Sequence, residues 1–344
     1  MTNEDSRAGQ SIGERQHGST SMEYSGKRIL ITGGTGYLGT GLARALRDEQ
    51  CEIICLDRPR KQASPIEGTA CIHQVQGDVR HRAAWESALT DVDVVFHFAA
   101  QTSVPVARED PQADFEANVL PMLHLLEICR LKGRHPVVVF AGTVTEAGIP
   151  ARLPVDETHS DCPITIYDLH KWMAEAYLKH YARERIVWGV TLRLANVYGP
   201  GPASSSADRG VLNAMIRRGL RGEDLTVYGS GENLRDYVYV EDVCRAFLAA
   251  VPHIDRLNGE HVVIGSGEGQ TLRGAFNLVA ERVALKTGRR VNVVHVDPPN
   301  PQSPIEGRNF VADTHRFRQA TGWRARYSLS EGIDRTIEAF LCES

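Results

Sequence analysis

The chain has 344 residues, 42% hydrophobic and 24% charged, with a formal net charge of −4, so one large or two small domains fit and no basic excess invites nucleic acid. No stretch reaches the ~18 uninterrupted apolar residues of a membrane span, and residues 1–25 lack the apolar core of a signal peptide. Seven cysteines without C-x-x-C spacing fit a reducing, cytoplasmic setting, and thirteen histidines without ligand spacing give no metal site.

Residues 1–25 are polar and rich in Gly and Ser, and are expected to form a disordered tail. From Arg28 onward, short apolar runs alternate with helical spacing. RILIT (28–32), EIICL (52–56), CIHQVQ (71–76), VDVVFHF (92–98) and PVVVFAG (136–142) are expected strands. YLGTGLARALRD (37–48), RAAWESAL (82–89), ADFEANVLPMLHLLEICRLKG (113–133, interrupted at Pro121) and the segment containing TIYDLHKWMAE (165–175) are expected helices. This alternation predicts an α/β fold with a parallel sheet covered on both faces. VWGVTLRLANVYG (187–199) follows, and the Gly, Pro and Ser of NVYGPGPASSS (196–206) mark a loop. Beyond it, a helix over 209–222, short strands LTVYG and DYVYV, and further helices predict a smaller mixed lobe.

ITGGTGYLGTG joins the first strand to the first helix. Gly34, Gly36 and Gly39 fit G-x-G-x-x-G, and Gly33, Gly36 and Gly39 fit G-x-x-G-x-x-G. In this context glycines let the backbone approach a pyrophosphate, while the helix N-terminus offers free N–H groups. Asp57 ends the second strand 23 residues after Gly34, where a carboxylate accepts from a ribose diol and repels a 2′-phosphate. That favours NAD, although Arg58 beside it leaves NADP possible. Asp78 in QGDV can reach an adenine amino group, and the small Ala99 and Ala100 let a cofactor lie close. Tyr167 and Lys171 are four apart on one helix face. The pair is either a packing contact or an ammonium that readies a phenol for proton transfer.

Taken in order, TGGTGYLG, GDV, HFAAQTSV, Asn118, FAGTVTEAG, YDLHK, LRLANVYGPG and YGSGENLRDYVYVEDV resemble landmarks of the extended short-chain dehydrogenase/reductase family, specifically its nucleotide-sugar epimerases, dehydratases and reductases. The resemblance runs from about residue 26 to the end. It implies a Rossmann-type doubly wound sheet over 26–195, rejoined by about 237–266. The remainder of 196–344 would be a smaller C-terminal α/β lobe holding a nucleoside diphosphate sugar. It also implies catalysis by Thr143, Tyr167 and Lys171, and a homodimer. Cofactor contacts are implied at Gly33, Gly36, Tyr37, Leu38, Gly39, Asp57, Asp78, Val79, Ala99, Asn118, Tyr167 and Lys171. Besides Thr143, substrate contacts are implied at Asn196, Arg209, Val211, Arg235 and Arg308, with Asn213 lining the nucleotide.

A free phenol has a pKa of about 10, and a neighbouring cation lowers it. Lys171 would serve Tyr167 in this way and also hold the nicotinamide ribose. Two departures from the family pattern bear on activity. Ala147 stands where many relatives carry Tyr, which reshapes the sugar pocket. Family dehydratases carry Asp-Glu directly after the catalytic Thr, whereas here Val144 and Thr145 intervene and Glu146 falls one place late. On a strand, one place turns a side chain to the other face. The leading expectation is therefore an NAD-dependent nucleotide-sugar 4-epimerase. The alternative is an NAD(P)H-dependent reductase of a 4-keto-6-deoxy nucleotide sugar, with nucleotide-uronate decarboxylation third. A non-catalytic NAD sensor would not need the Thr143, Tyr167 and Lys171 set.

Overall fold

The structure is a computed structural model and describes residues 23–59, 66–202, 210–297 and 303–343. Its first half runs β1 (Arg28–Thr32), α1 (Tyr37–Ala45), β2 (Glu52–Asp57), β3 (Cys71–Gln76), α2 (Arg82–Ala88) and β4 (Val94–His97). Next come α3 (Val104–Glu109), α4 (Pro111–Asn118), α5 (Leu120–Lys132), β5 (Val137–Thr143), α6 (Ile166–Arg183) and β6 (Trp188–Leu194). The second half adds β7 (Asn196–Tyr198), α7 (Val211–Arg221), β8 (Leu225–Tyr228), β9 (Leu234–Tyr239), α8 (Val240–Ala250) and α9 (Ile254–Leu257). It closes with β10 (Glu260–Ile264), β11 (Gly269–Thr271), α10 (Leu272–Thr287), β12 (Val293–Val296), α11 (His315–Thr321) and α12 (Leu329–Cys342).

Seven strands form one parallel sheet in the order β10-β6-β5-β4-β1-β2-β3. The order reverses between β1 and β4, and such a switch point opens a crevice at the carboxyl ends of the strands. Thr32, Asp57, His97 and Thr143 all stand at those ends. Alternate strand residues feed two cores. Ile29, Ile31, Phe96 and Leu192 pack with Leu42 and Phe247, while Leu30, Val95, Val138 and Phe140 pack with Trp85, Leu125 and Leu178. A third core joins α7, α10 and α12 through Leu212, Ile216, Phe276, Val279, Ile333 and Phe340. Two small sheets belong to this half, β11-β9-β7 and β12-β8. β10 returns to the large sheet beside β6, with Val262 opposite Leu192.

Several expectations need correction. Tyr24 falls within the expected tail, yet it is fully buried and its hydroxyl donates to the Leu248 carbonyl at 2.7 Å. Its ring belongs to the core between α1 and α8, so order begins earlier than residue 26; residues 1–22 lie outside the described residues. The helical run 113–133 is interrupted next to Pro121, as expected. The break is at Val119, and Pro121 lies in the first turn of α5, where a missing N–H leaves no bond unmade. The run 187–199 divides at Ala195, with β6 staying in the large sheet and Asn196 of β7 pairing with Tyr237 of β9. α3 was not foreseen; the Ser103 side chain caps it by accepting from the Val106 N–H at 3.3 Å.

One buried charge cluster holds β5, β6 and α6 together. Arg193 of β6 pairs with Glu175 of α6 at 2.6 Å, Asp161 at 2.5 Å and Glu146 at 3.2 Å. Lys179 joins Glu175 at 2.5 Å. Burial, followed by the Glu175 charge, pushes the Glu146 carboxyl well above the usual carboxylate range. Removing Arg193 leaves the buried Glu146 carboxyl without an ion-pair partner among the described residues, at a cost of about 3–5 kcal/mol. Arg193→Met is expected to lower stability on that scale, measured as the urea midpoint at unchanged m-value.

Candidate active site

The glycine-rich turn is shaped by contacts that exclude side chains. A Cβ on Gly39 would lie 2.2 Å from the Gly33 carbonyl oxygen, and one on Gly33, at φ +67°, would lie 3.0 Å from the Ala99 nitrogen. Gly36 is the N-cap of α1 and has no side chain to accept from the first turn. The opening N–H groups of α1 therefore remain available to an anion. Asp57 braces this turn. Its Oδ2 accepts from the Thr35 hydroxyl at 2.5 Å and the Thr35 N–H at 3.2 Å, and its Oδ1 accepts from the Arg58 N–H at 2.8 Å. Thr35 was missed in the sequence; the signal was a hydroxyl residue inside the glycine string.

Other expected cofactor positions have partners within the protein. Asp78 is gripped by Arg80 at 2.7 Å, which holds its carboxyl below the usual range. The Val79 carbonyl accepts from the Trp85 indole at 2.7 Å, and the Ala99 N–H donates to the Thr32 hydroxyl at 3.2 Å. Leu38 packs against the core. Asn118 donates at 3.0 Å to both the Gln101 carbonyl and Asp114, and His170 donates to the same Asp114 carboxylate at 2.6 Å. Asn118 thus belongs to a network tying α4 to α6, and its Oδ1 is buried without a hydrogen-bond partner among the described residues.

Thr143, Tyr167 and Lys171 are all buried, at 8%, 5% and 3% exposure, where β5 meets the start of α6. Lys171 Nζ sits 3.9 Å from the centre of the Phe140 ring, on the strand that ends at Thr143. Burial, then the Lys171 charge, depresses the His97 imidazole to about 3, so that ring is neutral. Residues 144–147 form a 3₁₀ turn rather than an extension of β5, so strand alternation does not govern Glu146. Instead Glu146 folds back, accepts from the Thr143 N–H at 3.0 Å and pairs with Arg193. Thr145 donates to Asp168 at 2.5 Å, and its hydroxyl lies 2.9 Å from that of Thr143. Neither Thr145 nor Asp168 stands out in the sequence.

A second group gathers on the other lobe. Arg235 of β9 donates to the Leu234 carbonyl at 3.0 Å, to the Glu306 carbonyl at 2.7 Å and to the Arg308 carbonyl. No carboxylate of the described residues forms an ion pair with its buried guanidinium, and burial lowers its pKa. Arg308 donates to the Ile305 carbonyl at 2.9 Å, and its charge acts on Asp168. Arg308 therefore brings positive charge towards the start of α6, and Arg235 holds the backbone of the segment that carries it. Asn196 donates to the Asp236 carbonyl at 3.1 Å, and Val211 is exposed at the start of α7. Arg209 lies outside the described residues. Asn213, expected to line the nucleotide, has partners within the protein. Its amide clasps the Gly199 N–H at 3.0 Å and the Gly199 carbonyl at 2.8 Å, and the Tyr37 hydroxyl donates to that carbonyl at 3.0 Å. This clasp joins the glycine-rich turn to the second lobe. Among the described residues, no group of three His, Cys, Asp or Glu side chains is placed to hold a metal.

Residues 29–265 match the NAD dependent epimerase/dehydratase family. The chain belongs to that family. It is 30% identical to a putative UDP-glucose 4-epimerase of Methanocaldococcus jannaschii over 90% of this chain and 97% of the relative. Its fold is similar to that of the UDP-glucose 4-epimerase of Thermotoga maritima solved with UDP-glucose, with a TM-score of 0.81 and 31% identity over 92% of this chain and 99% of that one. It also resembles the UDP-glucose 4-epimerase of Thermus thermophilus solved with NAD, with a TM-score of 0.78 and 32% identity over 91% and 99% of the two chains. NAD is the cofactor of this epimerase/dehydratase family. The tight glycine turn, the uncapped start of α1 and the carboxylate at the end of β2 fit such a dinucleotide.

Asp57→Ala removes both the carboxylate expected at the ribose diol and the brace on Thr35. The variant is expected to bind NAD more weakly and to discriminate less against NADP, measured by calorimetric titration of both. An unchanged ratio of the two affinities would place Asp57 outside the cofactor site.

Proposed function

We propose that the protein is an NAD-dependent nucleotide-sugar 4-epimerase that works by transient oxidation at sugar C4. The observation that carries this reading is the buried Thr143, Tyr167 and Lys171 group where β5 meets α6, with Thr143 at the same carboxyl edge of the sheet that bears the glycine-rich turn after β1. Bound NAD supplies a hydride acceptor, and later the donor, at the sugar carbon. Tyr167 takes the C4-hydroxyl proton as phenolate and returns it after the keto-sugar has turned. Lys171 stabilises that phenolate, and its burial over Phe140 keeps its field from being screened by water. Arg235 and Arg308 grip the diphosphate, so the sugar end is left to rotate.

Glu146 supports epimerisation over 4,6-dehydration, because its carboxyl is committed to the Thr143 backbone and Arg193. The names of the relatives at 30–32% identity support the same activity. We place the enzyme in the cytoplasm as a homodimer. Support comes from the free cysteines and from the exposed apolar side chains Leu169, Trp172 and Tyr177 of α6. Light scattering of the purified protein tests the dimer.

The activity is tested by mixing purified protein with UDP-hexose pairs and following interconversion without net change in NADH absorbance. Consumption of one NADH per turnover would mean a reductase instead. Tyr167→Phe is expected to keep fold and NAD binding while kcat falls roughly 10²-fold or more, the scale of a lost acid–base group. Arg235→Ala is expected to raise KM for the nucleotide sugar while NAD affinity changes little. Equal weakening of both ligands would make Arg235 a strut between the lobes.

A further inference from the structure

The junction of β5 and α6 contains a line of three groups. Thr143 Oγ lies 2.9 Å from Thr145 Oγ, and Thr145 donates to Asp168 Oδ1 at 2.5 Å. Each hydroxyl carries one proton. A carboxylate only accepts, so the Thr145 proton is committed to an ionised Asp168. The Thr143–Thr145 contact then requires Thr143 to donate its own proton inward. In that state Thr143 can only accept from a ligand. When Asp168 is protonated the line reverses, and the Thr143 proton is free to point at the ligand.

We propose that Asp168 is a positioning residue that sets, through Thr145, the direction in which Thr143 points its single proton. The proposal rests on the epimerase reading of the site. A keto-sugar oxygen has no proton and needs donors, so the outward form of Thr143 serves the oxidised stage of the sugar. The inward form offers that oxygen nothing. Asp168 also accepts from the Thr165 N–H at 3.2 Å as part of the α6 cap. A purely structural role is thus the competing explanation.

The surroundings of Asp168 suit a group that changes charge. It is wholly inaccessible, and burial raises its pKa against the opposing effects of Thr145, Thr165 and, more weakly, Arg308. Thr145 faces it from the turn after β5, Thr165 from the helix cap and Arg308 from the end of the 304–307 turn. Tyr167 and Lys171 are the other titratable groups of the proposed site on its own helix.

The test uses Thr145→Val, Asp168→Asn and Thr143→Val in the full chain, with two measurements. The first is carbon-13 NMR titration of aspartate carboxyls, with Asp168→Asn assigning the Asp168 signal. Thr145→Val removes a donor to the carboxylate, so Asp168 should titrate at higher pH than in wild type. Thr143→Val should move it the same way by less, because the chain of hydrogen bonds is no longer polarised. The second is the pH dependence of kcat. Wild type should lose roughly 2–10-fold, the scale of one neutral hydrogen bond, as pH rises through the Asp168 titration. Thr145→Val cuts the line, and Asp168→Asn turns its amide N–H₂ towards Thr145 while its oxygen keeps the Thr165 cap. Both should turn over without that inflection.

Persistence of the inflection in both variants, or an Asp168 titration unmoved by Thr143→Val, overturns the proposal. If Asp168→Asn fails to fold, Thr145→Val carries the test, since it leaves the cap whole. If wild type turns over no nucleotide sugar, the epimerase reading falls. The two titration shifts then decide the Asp168 line alone: their presence supports it and their absence overturns it.

Discussion

The pairing of Arg193 with Glu175 and Glu146 is the interaction on which the rest of the site depends. Arg193 is on β6, Glu175 is two turns beyond Tyr167 on α6, and Glu146 is three residues past Thr143. One guanidinium therefore fixes the helix that carries Tyr167 and Lys171 against the strand end that carries Thr143. Buried charges of this kind contribute little net stability, but they tolerate few alternative arrangements. Here the arrangement that satisfies them is also the one that brings three separate segments of chain to one place. Thr143 is held at its backbone by Glu146 and at its side chain by Thr145, so little freedom remains at the strand end.

The glycine-rich turn is constrained in a different way. It closes because Gly33 and Gly39 lack side chains, and it is then pinned from two sides by Asp57 and by the Tyr37–Gly199–Asn213 clasp. The same segment that would receive a pyrophosphate is thus in mechanical contact with the lobe proposed to receive the sugar nucleotide. Binding at either place acts on a shared piece of backbone.

Most of the large sheet was legible in the sequence because β1, β2, β4, β5 and β6 are buried and read as short apolar runs, whereas the edge strand β3 is largely exposed and showed itself by its place in the alternation. The strand end at Thr143 and the Tyr167–Lys171 spacing were legible for the same local reason. What escaped was set by distant partners. The division at Ala195 depends on β9 pairing, and Tyr24 looks like part of a polar tail until the surface of α8 is available to bury it. Strand alternation does not reach Glu146, because a capped 3₁₀ turn replaces the strand after Thr143. Thr35 is an ordinary polar residue until the Asp57 carboxylate it meets is known, and the hold of Asn213 on the Gly199 backbone exists only in the folded chain.

Ala195 alone separates β6 of the large sheet from β7 of the three-stranded sheet, and only residues 265–268 separate β10 from β11. At the second crossing, a Cβ on Gly265 would lie 2.7 Å from Asp236 Oδ2, and that carboxylate already accepts from Ser266, Gly267 and Ala312. Links this short and this well bonded are poor hinges, since a hinge needs residues free to absorb large changes in φ and ψ. The two sheets are consequently geared to one another as a single frame. On the proposed epimerase reading, such a frame leaves the turning of the sugar to the bonds that join it to the diphosphate.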